Sequence, residues 1–470
     1  MFGPVPIAAI VVLLSTLLFG FSWILHVRRN DRYALVAIMA GGALLRIILA
    51  VTPHLHSWDE RYHALVAKNM LLDPFEPRLY ADAELPYNTE DWTKSHIWLH
   101  KPPLPLWSIA LSLYLFGMNV LSVRIPSMIL SVIAIALCHG IALKLFDRRI
   151  AWLTALFAAM HGLIIQLTGG DAATDHIDVF LFFFTTLSIW FALRWRDRPS
   201  LTLAVLAGAS IGAAVLSKWM VGLLPLLLVP IIWYGRHQFK TWGPAYLVMT
   251  ATCIMTFLPW EIYIGYRFPD ELRVARDQML GHFDRGLDGH AEPWYYHIHK
   301  LGMLYGEFIY IPLMWSMWQA WRSMKGHYIM LFIWILIPYV IFSCATTKMQ
   351  AYTIVSAPAL YMVLANYVDH LSRMRLPSWS KFALGILLIA MPFRQMLERI
   401  KPWQDQLSEP EWMERIMAQR FNSNQKIVIF NEPHSIELMF HHDVVAYDHI
   451  PTTDLVQQLE GSGYSVHVLP

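Results

Sequence analysis

The sequence predicts a polytopic α-helical membrane protein of about twelve transmembrane helices, with further helices lying against one membrane face and a small C-terminal α/β domain. Three observations predict it. Hydrophobic residues make up 56% of the chain and charged residues 15%, whereas a soluble domain carries roughly a quarter charged residues; the mean hydropathy is +0.42. Apolar runs of about 20 residues, the length that crosses about 30 Å of hydrocarbon as helix, recur from end to end. Lysine and arginine gather in every second short connection between those runs.

In chain order the runs cover 6–27, 33–52, 122–145, 150–168, 177–195, 201–217, 219–235, 243–264, 298–321, 328–345, 352–369 and 381–397. The first has no basic segment before it and no small-residue cleavage site after it, so it is expected to be retained as a span. Residues 104–116 form a shorter run behind two prolines, which suits a helix at the interface better than a crossing. The basic tight loops lie at 28–32, 147–149, 194–198, 236–240, 322–325 and 373–381. One topology places all of them in the cytoplasm. The opposite, external face then receives the loops 53–121 and 265–297, the segments near Asp171 and Lys348, and the tail. Residues 1–400 read as one transmembrane catalytic region and 401–470 as a small external domain. In that tail, β-branched runs at 426–430, 444–447 and 464–469 alternate with helix-like stretches, a β-α-β-α-β pattern too small to bury a large core alone.

Charge and cysteine usage narrow the function. Cys138, Cys253 and Cys344 all fall in apolar runs, which argues against a disulfide framework or a thiolate metal site. There is no phosphate-binding glycine loop, nucleophilic serine elbow or zinc-protease helix, and no basic patch that would point to nucleic acid. Membrane lipids surround such a chain.

The groups with chemical potential collect on the external side. Asp59 and Glu60, followed by Arg61 and Tyr62, suit either a solvated loop or an acidic site beside a span. Lys101 stands before Pro102 and Pro103, which remove backbone donors and hold it on a stiff elbow. Such a lysine fits a phosphate, or a lipid headgroup to which it snorkels. Asp171, Asp175 and Asp178 are spaced four and three residues apart, on one helical face, as a helix cap or as a site. Carboxylates entering an apolar span cost several kcal/mol unless paired. His282 and Arg285 lie in the 265–297 loop, and Lys218 and Lys348 each stand at the external end of a run.

Several motifs occur together and in order: Asp59-Glu60-Arg61-Tyr62, Lys101-Pro102-Pro103-Leu104, Val123-Arg124-Ile125-Pro126-Ser127, Asp178-x-x-Leu181-x-Phe183-Phe184, Leu216-Ser217-Lys218, His282-Phe283-Asp284-Arg285, Pro293-Trp294-Tyr295-Tyr296 and Lys348-x-x-x-Tyr352. In this the chain resembles the ArnT and protein O-mannosyltransferase group of GT-C glycosyltransferases over about residues 33–400. The resemblance implies an inverting glycosyltransferase of a bacterial or archaeal cell membrane, with its active site facing outside. Its donor would be a polyprenyl-phosphate sugar and its acceptor a lipid, polysaccharide or protein. It implies that Asp59, Glu60 and Asp178 are catalytic, with Asp59 the general base. Arg61, Lys101, Arg285 and Lys348 would bind the donor phosphate, and Tyr62, Asp175, Lys218 and Tyr352 would contact substrate. It further implies a divalent-metal site at His100 and His282, with His100 standing where many aminoarabinose transferases have glutamate. The competing expectation is a transporter of polyprenyl-linked sugars or lipids, which calls for ionisable groups at both faces and often an internal repeat. No repeat is evident.

Overall fold

The computed structural model describes residues 4–82, 88–172, 175–233, 237–400, 410–419 and 426–470. The first two helices, α1 (Pro4–Val27) and α2 (Asp31–Ala50), precede two short ones in the long loop, α3 (Asp59–Asn69) and α4 (Pro103–Phe116). The bundle continues through α5 (Val120–Leu145), α6 (Arg148–Ala159), α7 (Gly162–Thr168), α8 (Asp175–Asp197), α9 (Leu201–Lys218), α10 (Leu224–Trp233) and α11 (Phe239–Arg267). After α12 (Pro269–Asp284) come α13 (Tyr296–Tyr305), α14 (Tyr310–Ser323), α15 (Gly326–Cys344), α16 (Ala357–Arg373) and α17 (Ser378–Ile400).

Among the described residues, nine helical runs are long and apolar enough to cross a membrane, or ten if the bent pair α6–α7 is one span. Two features account for the difference from the twelve expected. The expected span 298–321 is broken into α13 and α14 at Gly306, whose φ of +95° favours glycine. Residues 201–233 pass the length test as a single run, yet the chain reverses inside it. Trp219 sits at φ +51°, and the 3₁₀ turn that follows lies against the last turn of α9, where a Cβ on Gly222 would meet the Val215 nitrogen. The Trp233 indole then donates to the Ala192 carbonyl near the far end of α8 at 2.8 Å. These residues therefore go in and come back.

Ion pairs sort the two ends of the bundle. At one end lie Arg148–Asp31 (2.8 Å), Lys144–Asp197 (2.5 Å), Arg149–Asp369 (3.2 Å) and Arg373–Asp147 (3.4 Å), joining four of the basic tight loops. Arg236, in a fifth, lies outside the described residues. The break between α6 and α7, bent by 48°, is held by Arg46 of α2, which is buried and donates to the carbonyls of Gly42 (2.8 Å), Ala159 (3.2 Å) and Ala158 (3.4 Å). A guanidinium suits the carbonyl end of a helix, where backbone acceptors lack intrahelical partners.

At the opposite end α4 is too short for a span and buries Leu106, Ile109 and Leu113 while Leu111, Tyr114 and Phe116 are exposed. The tail forms α18 (Glu411–Ala418), β1 (Ile427–Phe430), α19 (Ser435–His441), β2 (Val445–Ala446), α20 (Thr453–Gly461) and β3 (Ser465–Val468). Its three strands are parallel in the order β2-β1-β3, with Val428 opposite Val445 and Val466. Parallel neighbours require crossovers, which α19 and α20 supply. The expected boundary at 401 falls outside the described residues. Val428, Phe430 and Phe440 share one apolar core with Tyr62, Leu65, Trp98 and Ile109 of the long loop, so the sheet is built onto α3 and α4.

Replacing Arg46 by methionine strands the Ala158 and Ala159 carbonyls, and hydrogen bonds to a charged group are worth about 1.5–3 kcal/mol each. The Arg46→Met protein should unfold at a lower temperature than the parent in the same detergent, and an unchanged midpoint would contradict this role.

Candidate functional site

The site begins at the first turn of α3, where Asp59 and Glu60 lie at the helix N-terminus that favours negative charge. Successive helical residues point about 100° apart, and the two carboxylates take different surroundings. Asp59 is 6% exposed and pairs with the Lys101 ammonium at 3.0 Å. Glu60 turns into the protein, where Arg124 of α5 grips it through Nε (2.6 Å) and Nη2 (2.8 Å), while the His56 amide donates to it at 2.8 Å. Burial pushes the Glu60 carboxyl upward, but the adjacent Arg124 outweighs it and holds the group well below the usual carboxylate range.

Lys101 is presented by a chain clamped from both sides. The Trp98 amide donates to the Pro77 carbonyl at 2.7 Å, and extended Pro102 leads into Pro103 as the first residue of α4. Across the cavity, Asp178 of α8 is buried and bonded to Lys218 at 2.5 Å. Lys218, the last residue of α9, also lies 5.0 Å from the centre of the Tyr352 ring. The Tyr352 hydroxyl is 3.5 Å from His282 Nδ1. These groups enclose a cavity of about 180 Å³ lined by Asp59, Lys101, Lys218, Tyr352, His100 and His282. Aromatic walls come from Trp58, Trp92, Trp219, Phe283 and Phe342, with Gln278 and Met279 beside them.

Charge in the cavity wall resides on the Asp59 carboxylate and the Lys101 and Lys218 ammonium groups, with Asp178 buried behind Lys218. Burial, reinforced by Lys101 and Lys218, lowers the His282 pKa to about 4. His100, stacked on Trp92 with ring centres 4.4 Å apart, is held well below the usual imidazole range by burial and then by Lys101. Both imidazoles are neutral near pH 7. A divalent cation would find these two nitrogens beside two ammonium groups. Among the described residues no three histidine, cysteine or acidic side chains are grouped as a metal site, and the pair does not fit Mg²⁺ or Mn²⁺, which prefer oxygen ligands.

The remaining expected residues lie elsewhere. Arg61 pairs with Glu437 of α19 at 3.2 Å. Tyr62 is buried against Trp92, ring centres 4.9 Å apart. Arg285 faces Asp277 on the surface at 3.0 Å. Lys348 is buried and donates to the carbonyls of Glu292 (2.9 Å) and Ala345. Asp175 opens α8, and its side chain lies outside the described residues. Sequence reasoning passed over the tryptophans and Gln278, because the cavity draws on segments hundreds of residues apart and an aromatic gives no local signal of facing one. Arg124 did carry a signal: an arginine inside a transmembrane helix calls for a partner.

Comparison with known proteins bears on this geometry. The family model for dolichyl-phosphate-mannose-protein mannosyltransferase matches residues 100–263. An undecaprenyl phosphate-alpha-4-amino-4-deoxy-L-arabinose arabinosyl transferase of Pseudomonas savastanoi is 25% identical over 364 residues, covering 74% of this chain and 63% of the relative. The enzyme of that name from Pseudomonas aeruginosa strain UCBPP-PA14 is 27% identical, covering 66% and 59%. The chain thus spans under two thirds of the length of these relatives. Among solved structures, ArnT from Cupriavidus metallidurans bound to undecaprenyl phosphate superposes with a TM-score of 0.65 at 14% identity, covering 92% of this chain and 89% of that one. The archaeal oligosaccharyltransferase AglB from Archaeoglobus fulgidus, in complex with an inhibitory peptide and a dolichol-phosphate, gives 0.56 at 13% identity, covering 89% and 65%. At these identities the structural likeness establishes the fold.

Two outcomes are expected. Arg124→Met leaves Glu60 buried without its partner, which costs about 3–5 kcal/mol, so chemical unfolding should shift to lower denaturant; an unshifted curve would deny the pair its structural role. Because His282 titrates near pH 4, it stays neutral as pH rises from about 5.5 to 7.5, and an NMR titration of its ring should show no change in that window. A midpoint near the ordinary value of about 6.5 would contradict its burial beside the two lysines.

Proposed function

We propose that this multi-pass membrane chain, which has the GT-C fold of the ArnT and protein O-mannosyltransferase group, is an inverting glycosyltransferase. It would move a sugar from a polyprenyl-phosphate donor to an acceptor hydroxyl or phosphate at the external membrane face. One observation carries the reading: Asp59, Lys101 and Lys218 line a single cavity at the end of the bundle opposite the basic loops, Lys101 paired with Asp59 and Lys218 with the buried Asp178 behind it. The neighbours' contents support it, since the Cupriavidus ArnT structure holds undecaprenyl phosphate and the AglB structure a dolichol-phosphate. A transporter would call for ionisable groups along a path through the bundle, and the pairs at the other end join its tight loops.

A donor of this class keeps its prenyl chain in the bilayer and its phosphosugar at headgroup depth. Lys101 and Lys218 meet the phosphate there. When the phosphate draws Lys101 towards itself, Asp59 is released from its ion pair and accepts the proton of the acceptor hydroxyl. The acceptor oxygen forms a bond to the anomeric carbon as the bond from that carbon to the phosphate oxygen breaks on the opposite face, inverting the centre. The electron pair of the broken bond stays on the polyprenyl phosphate, whose growing negative charge the two ammonium groups stabilise. Asp178 holds Lys218 in place for that role. Glu60 acts through structure, fixing the helix turn that carries Asp59. His100 and His282 serve as neutral hydrogen-bonding groups in the cavity wall, and no step depends on a metal. Lipid, polysaccharide and protein acceptors all remain compatible with this chemistry.

The experiment is a transfer assay with a synthetic polyprenyl-phosphate sugar donor. Asp59→Asn should lower kcat by about 10²–10⁴, the worth of a general base, with donor binding retained. Lys101→Ala should weaken binding of the polyprenyl phosphate itself, while Arg285→Ala should leave it unchanged. Full turnover in Asp59→Asn would remove the base assignment.

A further inference from the structure

A second cavity of about 270 Å³ backs onto the first, and His290 and Met349 line both. The wall between them is a short β-bridge, Ala291 opposite Thr347, in which the Lys348 amide donates to the His290 carbonyl at 3.0 Å. Two cations line this second space, Lys348 from the bridge and Arg399 from the end of α17. Their hydrogen-bond partners among the described residues are all neutral. Arg399 donates to the side-chain oxygens of Gln166 (2.6 Å) and Gln350 (2.5 Å), and Lys348 donates to two backbone carbonyls. Two acids stand nearby without an ion pair to either cation: Asp171, which accepts from Gln166 at 3.4 Å, lies 3.7 Å from His56 and attracts Arg399 from a distance, and Glu292, whose charge acts on Tyr296 in the cavity wall. Among the described residues neither Lys348 nor Arg399 is paired with a carboxylate.

Two half-buried or buried cations beside one cavity, hydrogen-bonded only to neutral groups and with no acid in the lining, are an arrangement that an anionic ligand stabilises. Arg399 can offer a planar fork and Lys348 a point charge with a third N–H still to donate. We propose that the second cavity is an oxyanion subsite that holds a phosphate or carboxylate group of the acceptor, across the bridge from the reacting centre. This rests on the transferase reading for the word acceptor, and on the two cations for the subsite itself. It takes Lys348 from the donor phosphate, where the family resemblance had put it, and adds Arg399. An acceptor so held would carry its anionic group on the far side of His290 and Met349 from the hydroxyl that reacts.

The test uses the full chain in detergent, with sodium orthophosphate and sodium acetate as probes against sodium chloride at equal ionic strength. Orthophosphate should raise the unfolding midpoint of the parent by about 1–3 °C, since a ligand that binds only the folded state stabilises it. The rise should persist in Lys101→Ala, which alters only the first cavity. In the Lys101→Ala background, Gln350→Glu places a carboxylate on Arg399 and should abolish the rise that remains, and Lys348→Met should reduce it at least threefold. Midpoints without phosphate identify a variant that fails to fold, and the other variant then decides. A comparable rise with acetate assigns the subsite to carboxylates as well; a rise with orthophosphate alone assigns it to phosphates. No rise in the parent, or a rise lost in Lys101→Ala or kept when Gln350→Glu is added to it, overturns the subsite. Because Asp59→Asn tests transfer separately, loss of the enzyme reading with the phosphate response intact would leave an anion site without its acceptor.

Discussion

The buried pair of Glu60 and Arg124 governs where everything at the cavity end can stand. Arg124 is fully buried on α5 and donates to the carbonyls of Ala50 (3.1 Å), Thr52 (2.8 Å) and His54 (2.9 Å) as well as to both oxygens of Glu60. One side chain thereby stitches the end of α2, the connection after it and the first turn of α3 to the middle of the bundle. Gly170, at φ +78°, completes the fit, because a Cβ there would lie 2.3 Å from the Glu60 carboxylate. With Glu60 locked, Asp59 one residue earlier has no freedom to leave the cavity. A charge pair of this kind need not add to net stability, since desolvation offsets much of the attraction. Its value lies in permitting only one arrangement.

The tail braces the same helix from the other side. Glu437 of α19 pairs with Arg61, and the Lys68 ammonium donates to the carbonyls of Met439 (2.6 Å) and His442 (2.9 Å) at the end of that helix. Tyr80 stacks on Tyr447 with ring centres 5.2 Å apart. Burial raises the Glu437 carboxyl, but His434, 3.9 Å away, and Arg61 outweigh it and lower it below its ordinary value of 4.5. A lowered folded-state value means that this docking contributes stability above about pH 4.5 and loses it as the pH falls further. The helix that carries Asp59 is therefore held between a buried pair and a docked sheet.

The cavity's electrostatics follow from depth. Lys101 is balanced by Asp59 in the cavity wall and Lys218 by Asp178 buried behind it, and burial keeps the imidazoles uncharged. A phosphate entering the cavity meets two lysines that can exchange partners. Behind the Ala291–Thr347 bridge lies the contrasting case, cations hydrogen-bonded to neutral groups only.

How much of this was legible in the sequence depended on the range of the physics involved. Hydropathy and the alternation of basic loops are local, and they specified the membrane class, most of the spans, the short apolar helix behind Pro102 and Pro103, and the α/β tail. Asp59, Lys101, Asp178, Lys218, His282 and Tyr352 were legible as candidates because an ionisable or polar group beside an apolar run demands an explanation. Neighbouring residues differ in ways no local pattern reports. Asp59 faces the cavity and Glu60 faces Arg124 because one helical step rotates a side chain by about 100°, and only the positions of α5 and α4 decide which face is which. Arg61 is tied to Glu437 of the tail and Lys348 to the bridge at 290–292, both outside the lining of the first cavity, and their neighbours in sequence do not report this. The reversal at Trp219, the break at Gly306 and the second cavity with Arg399 likewise arise from contacts between distant segments, which a single sequence read along its length does not contain.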